Sequence, residues 1–119
     1  MRVTVIGAGY VGLVTSACFA DVGNDVLCLD VDPQKIERLT RGEIPIREPG
    51  LDALVLRNHA AGRLRFSIGY DDAVAHASVI FIAVGTPSSE DGSADLSGVL
   101  SCAHTLGQKI ERDTLVVIK

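Results

Sequence analysis

Six residues near the N-terminus, Gly7-Ala8-Gly9-Tyr10-Val11-Gly12, have the Gly-x-Gly-x-x-Gly spacing of a turn that can hold a pyrophosphate. The chemistry of such a turn belongs to the backbone. Gly7 permits a tight exit from a strand, Gly9 lets the main chain approach the phosphates, and Gly12 lets the following helix pack closely on a sheet. The free N–H groups and partial positive charge at that helix start favour an anion. Asp30 stands 18 residues beyond Gly12. That is close to the ~20 expected for an acid that accepts hydrogen bonds from the adenosine ribose hydroxyls. Its charge would repel a 2′-phosphate. The residues after it are Val31 and Asp32 rather than an arginine, so the pattern favours NAD over NADP.

Two further residues are candidates with a plain alternative beside each. Lys35 falls in the first turn of the next predicted helix, within reach of the ribose side, and is equally well described as a solvated helix lysine. Thr86, in Gly85-Thr86-Pro87, offers a hydroxyl and an N–H at the tip of a predicted strand, where an ordinary turn would also sit. Cys18, Cys28 and Cys102 lie on predicted helix faces or inside a strand and read as packing residues. His104 is two residues from Cys102, which points it elsewhere on a helix. His59, His76 and His104 lack metal-ligand spacing and read as surface or helix-end residues. No catalytic residue and no metal site is expected.

The elements that must position these residues follow from periodicity. Arg2–Ile6 reads as a buried strand. The helix after the glycine turn is expected to bury Val11, Val14 and Cys18, with Leu13 and Ala17 beside them, and to stop near Gly23-Asn24. Val26–Asp30 is a second strand. Asp32 reads as the N-cap of a helix with Pro33 at its first position, Ile36 and Leu39 inward, and Gly42 as its end. Pro45 and Pro49 make 43–50 a stiff extended loop. A helix follows with Leu51, Leu54 and Val55 on one face. Leu64, Phe66 and Ile68 alternate with polar residues, as in an edge strand. A short helix over 71–76 precedes Val79–Val84, an apolar run fit for a central parallel strand. After a polar loop over 85–95, Leu96, Val99, Leu100, Ala103, Leu106 and Ile110 mark an amphipathic helix. Thr114–Ile118 is a fifth strand. Alternating strands and helices predict an α/β fold, a Rossmann-type doubly wound parallel sheet of about five strands. Binding sites in such sheets lie beyond the C-terminal strand ends. A domain that stops at Lys119, on a strand tip, is therefore expected to be truncated.

Bulk properties narrow the class. A chain of 119 residues, 47% apolar, is one domain with a real core. A net charge of −4 without a basic cluster argues against nucleic acid or an anionic membrane as partner. No apolar run approaches the ~20 residues of a bilayer span. The N-terminal stretch lacks signal-peptide features. Three scattered cysteines fit a reducing cytoplasm.

Four segments then resemble, in order, the UDP-glucose/GDP-mannose dehydrogenase family: Met1-Arg-Val-Thr-Val-Ile-Gly-Ala-Gly-Tyr-Val-Gly-Leu-Val14, Asp30-Val-Asp-Pro-Gln-Lys35-Ile36, Ile46-Arg-Glu-Pro-Gly-Leu51 and Val84-Gly-Thr-Pro87. Glu90-Asp-Gly-Ser-Ala-Asp-Leu96 looks most like the bacterial UDP-glucose 6-dehydrogenases. The likeness covers Met1 to Lys119. It implies an enzyme that oxidises UDP-glucose to UDP-glucuronate with two NAD, through a cysteine thioester. It implies that Gly7, Ala8, Gly9, Tyr10, Val11 and Gly12 surround the pyrophosphate, with Val11 making backbone contacts. Asp30 and Lys35 would meet the adenosine ribose and Thr86 the cofactor near the strand tips. The catalytic cysteine, lysine, asparagine and aspartate and a UDP-binding domain would lie beyond Lys119, so these residues would bind NAD without turning over the sugar. A cytoplasmic homodimer serving polysaccharide synthesis is implied for the full-length enzyme. GDP-mannose and UDP-N-acetylmannosamine dehydrogenases, a stand-alone NAD-sensing module and an FAD-binding fold are the alternatives.

Overall fold

The computed structural model describes every residue from Met1 to Lys119. Five strands form one parallel sheet: β1 (Arg2–Ile6), β2 (Asp25–Leu29), β3 (Leu64–Ser67), β4 (Val79–Ile82) and β5 (Leu115–Ile118). Their order is β3-β2-β1-β4-β5. The chain winds outward from β1 to β3, then crosses back to β4. β1 and β4 thus flank the point where the winding reverses, and the crevice beyond their C-terminal ends is where such sheets bind ligands. Ile6, the last residue of β1, is in register with both Leu29 and Ile82.

Helices α1 (Tyr10–Asp21), α2 (Pro33–Thr40) and α3 (Leu51–Ala60) cover one face of the sheet. α4 (Tyr70–His76) and α5 (Ser97–Lys109) cover the other. The first face buries Val3, Val5, Leu13, Val26, Leu39 and Leu64. The second buries Ile6, Leu29, Ile80, Ile82 and Leu106. This is the doubly wound α/β architecture that the alternation predicts. Asp32 caps α2 by accepting from the N–H groups of Gln34 and Lys35, with Pro33 in the first turn. Gly23 ends the α1 connection at φ +105°, and 43–50 forms no regular element.

Several expectations need correction. α1 buries Gly12, Leu13, Thr15, Ser16, Ala17 and Ala20, while Val11 and Cys18 are exposed and Val14 is half-buried. Apart from Leu13 the buried stripe is made of small residues, which lets the helix lie close to the sheet, and Val11 falls outside it. Cys18 is therefore a surface thiol, not a packing residue, whereas Cys28 and Cys102 are buried. Ile68 falls past the end of β3 and is exposed. In α5 only Cys102 and Leu106 are buried, and Leu96, Leu100 and Ala103 face solvent. The helix meets the sheet along Val99, Cys102, Leu106 and Ile110, a stripe rotated from the expected one. His76 does sit at a helix end, but buried: its Nε2 lies 3.0 Å from the Asp25 carbonyl and its Nδ1 3.1 Å from the Arg65 guanidinium. The guanidinium can only donate, so Nδ1 accepts and Nε2 carries the proton.

Candidate functional site

The glycine turn is fixed by distances that leave no room for side chains. Gly7 sits at φ +110°, and a Cβ there would come 2.5 Å from the Ala83 carbonyl oxygen. A Cβ on Gly12 would meet the Gly7 carbonyl oxygen at 1.7 Å, so α1 can start where it does only with glycine at this position. A Cβ on Gly9 would meet nothing within 4 Å. Its lack of a side chain is not needed for packing but keeps the space in front of the turn open. Beneath the turn, the Cys28 thiol donates toward the Gly7 carbonyl, S···O 3.8 Å. Burial pushes this thiol up to about 12, so it stays a neutral donor.

Asp30 leaves β2 directly beside the turn. One carboxylate oxygen accepts from the Ala8 N–H at 2.9 Å, the other from the Asp32 N–H at 3.0 Å. Lys35 Nζ lies 3.6 Å from the same carboxylate. A carboxylate has about four acceptor positions; the two N–H groups take two, and the Lys35 ammonium faces the oxygen that Ala8 holds. Asp30 therefore braces the glycine turn and still presents lone pairs outward.

A crevice of about 700 Å³ opens at the C-terminal ends of β1 and β4, well within the range of small-molecule sites. Gly7, Gly9, Tyr10, Val11, Asp30, Lys35 and Thr86 all border it. The sequence candidates thus converge on one cavity, with two exceptions. Ala8 and Gly12 are buried behind it, where Ala8 holds Asp30 and Gly12 permits the approach of α1. The opposite wall carries residues that the sequence did not single out for the site: Tyr70 from α4, Ser101 and Cys102 from α5, and Lys119 after β5. Burial raises the Tyr70 phenol and the Cys102 thiol above their ordinary values. No local motif marks these residues; they reach the crevice only through the crossover that puts α4 and α5 on the second face.

Across residues 1–119 the sequence matches the UDP-glucose/GDP-mannose dehydrogenase family, NAD binding domain. The chain belongs to this family. The NAD-binding domain is 53% identical over 119 residues to the UDP-glucose 6-dehydrogenase of Pseudomonas aeruginosa and 54% identical over 120 residues to that of Rhizobium meliloti. It covers 26% and 28% of those relatives, so it spans about a quarter of their length. Among solved structures it superposes on a GDP-mannose dehydrogenase from Pseudomonas aeruginosa with a TM-score of 0.94 at 36% identity. It matches a UDP-glucose dehydrogenase from Pyrobaculum islandicum with a TM-score of 0.92 at 43% identity. Each match covers 99% of this chain and 28% of the other. No helix of the NAD-binding domain is long and apolar enough to cross a membrane, and no three His, Cys, Asp or Glu side chains converge into a metal site.

Proposed function

We propose that the crevice holds NAD through Gly7, Gly9, Tyr10, Val11, Asp30, Lys35 and Thr86, as one domain of a UDP-glucose 6-dehydrogenase. The observation that carries this is Asp30. Its carboxylate is pinned by two backbone N–H groups at the end of β2, with acceptor capacity left toward the crevice. That arrangement suits the paired hydroxyls of a ribose and disfavours a phosphate in their place. The open space before Gly9 and the free N–H groups at the start of α1 suit a pyrophosphate. Lys35, beside Asp30, offsets part of the acid's charge and donates toward the same edge.

When bound, the nicotinamide takes up hydride from the sugar-nucleotide alcohol. The chain's own part is to bind and orient it. The catalytic cysteine of the thioester step, the other catalytic side chains and the UDP-binding domain belong, on this reading, to the remaining three quarters of the relatives' length. Higher identity to UDP-glucose 6-dehydrogenases, 53–54% against 39% for a GDP-mannose 6-dehydrogenase, supports UDP-glucose as substrate. The buried free thiols Cys28 and Cys102 fit the cytoplasm. A homodimer is part of the same reading.

Calorimetric titration with NAD and NADP tests the site. NAD is expected to bind in preference to NADP, and Asp30→Ala to weaken NAD by about tenfold or more, the effect of losing hydrogen bonds to a charged group. Equal binding of both cofactors, or an indifferent Asp30→Ala, would overturn the assignment. With UDP-glucose and NAD, the 119-residue chain should produce no absorbance at 340 nm.

A further inference from the structure

The loop between α2 and α3 is held at both ends and at its middle. Glu43 pairs with Arg38 and Arg41 at 3.6 Å each. Ile44 and Ile46 pack on the core of the first face. Pro45 and Pro49 restrict the backbone between them. The loop borders a groove of its own, about 610 Å³, lined by Ile44, Ile46, Arg47, Glu48 and Pro49 and by the start of α3. A side-chain hydrogen bond joins this loop to the nucleotide crevice. The Tyr10 hydroxyl donates to Glu48 Oε2 at 2.9 Å, across 38 residues of sequence. Tyr10 is the first residue of α1, borders the crevice, and is half exposed at 53%. About half of the residue is exposed, and this hydrogen bond is the side-chain polar contact of its hydroxyl. Hydrogen bonding to the Glu48 carboxylate holds the phenol above its ordinary value.

We propose that Tyr10 and Glu48 form a latch that ties the 43–50 loop to the wall of the dinucleotide crevice, so that loop position and cofactor binding are coupled. The coupling rests on the reading of the crevice as the NAD site. Tyr10 is a positioning residue here. With the latch closed, its ring stands as a fixed wall beside the start of α1; with it open, ring and loop move independently. By linkage, whatever factor the closed latch adds to NAD affinity, NAD must add to the closure of the latch.

Two readouts test this on the chain as it is. The first is the rate of tryptic cleavage after Arg47, an exposed site within the loop, followed by mass spectrometry without cofactor. Tyr10→Phe should raise that rate about threefold, as expected for losing one solvent-exposed hydrogen bond. Glu48 borders the cut itself, so Glu48→Ala is read by NAD affinity rather than by cleavage. The second readout is NAD affinity. It should fall about threefold in each single variant, and no further in the double variant. NAD should slow cleavage after Arg47 in the parent but not in Tyr10→Phe. Equal cleavage in the parent and Tyr10→Phe would overturn the latch. Multiplying losses in the double variant would overturn the pairing. If the parent binds no NAD, the crevice reading fails and the coupling with it, while the cofactor-free cleavage rates still decide whether the pair holds the loop.

Discussion

In β1 and β2 four of the five residues are buried, whereas β5 buries none of its four. Leu115 and Ile118 are more than 60% exposed. The same contrast runs through the helices: α1 buries six residues, Leu13 and five smaller ones, whereas α5 buries only Cys102 and Leu106. The crevice lies between these two margins. Its glycine turn and Asp30 belong to the tightly packed side, and Ser101, Cys102 and Lys119 to the loosely packed one. Binding sites favour groups held in place before a ligand arrives, and in this crevice such groups lie where backbone meets backbone. Within residues 1–119 the margin built from β5 and α5 has less side-chain burial to hold it.

Glycine substitutions should separate the two margins most sharply. Gly12→Ala forces a Cβ into the Gly7 carbonyl and should destabilise the domain by about 3 kcal/mol or more. Gly107→Ala, in α5 with nothing within 4 Å, should stabilise it by about 0.5–1 kcal/mol through helix propensity. Urea denaturation of both variants measures the difference; a tolerated Gly12→Ala would erase the contrast. Truncation of leucines comes next. Leu13→Ala removes a fully buried side chain of α1 and should cost about 2–5 kcal/mol. Leu100→Ala removes an exposed one from α5 and should stay within about 0.5 kcal/mol of the parent.

The smallest effect concerns the ion cluster joining α1 to α3. Hydrogen bonds from Arg57 and Asn58 hold the Asp21 carboxyl below the ordinary carboxylate range. A carboxyl with a depressed folded value stabilises the fold above its unfolded value, about 3.9, and loses that contribution as pH falls through the lower folded one. Asp21→Asn should therefore shift stability slightly at pH 6 and leave it unchanged near pH 2, as read from thermal midpoints across that range.

The parts of this architecture legible in the sequence are those where one residue type has one physical job. Gly7 and Gly12 are dictated by contacts that a Cβ would violate, Asp32 and Pro33 by the start of a helix, and Asp30 by its distance from the turn. The parallel sheet covered on both faces follows from the alternation of elements, while its strand order emerges only in the structure. What periodicity misread was burial on the helices. It ranks residues by hydrophobicity, and so chose Val11, Val14 and Cys18 in α1 and Leu96, Leu100 and Ala103 in α5. The fold instead selected for close approach in α1 and for a rotated stripe in α5. The far wall of the crevice was invisible for a different reason. Tyr70, Ser101 and Cys102 carry no spacing relation to the glycine turn, and only the tertiary crossover brings them to it. The Tyr10–Glu48 contact spans 38 residues and is likewise a product of packing.

The chain holds two tyrosines and no tryptophan, and both rings, Tyr10 and Tyr70, border the crevice. Every tyrosine ultraviolet signal of this domain therefore originates at the crevice, and the rest of the molecule is silent at those wavelengths. Melting followed by tyrosine emission tracks the crevice, while far-ultraviolet dichroism tracks the backbone as a whole. If the β5 margin frays before the glycine turn lets go, the second curve should depart first. The domain thus carries a built-in gauge of its own uneven cooperativity.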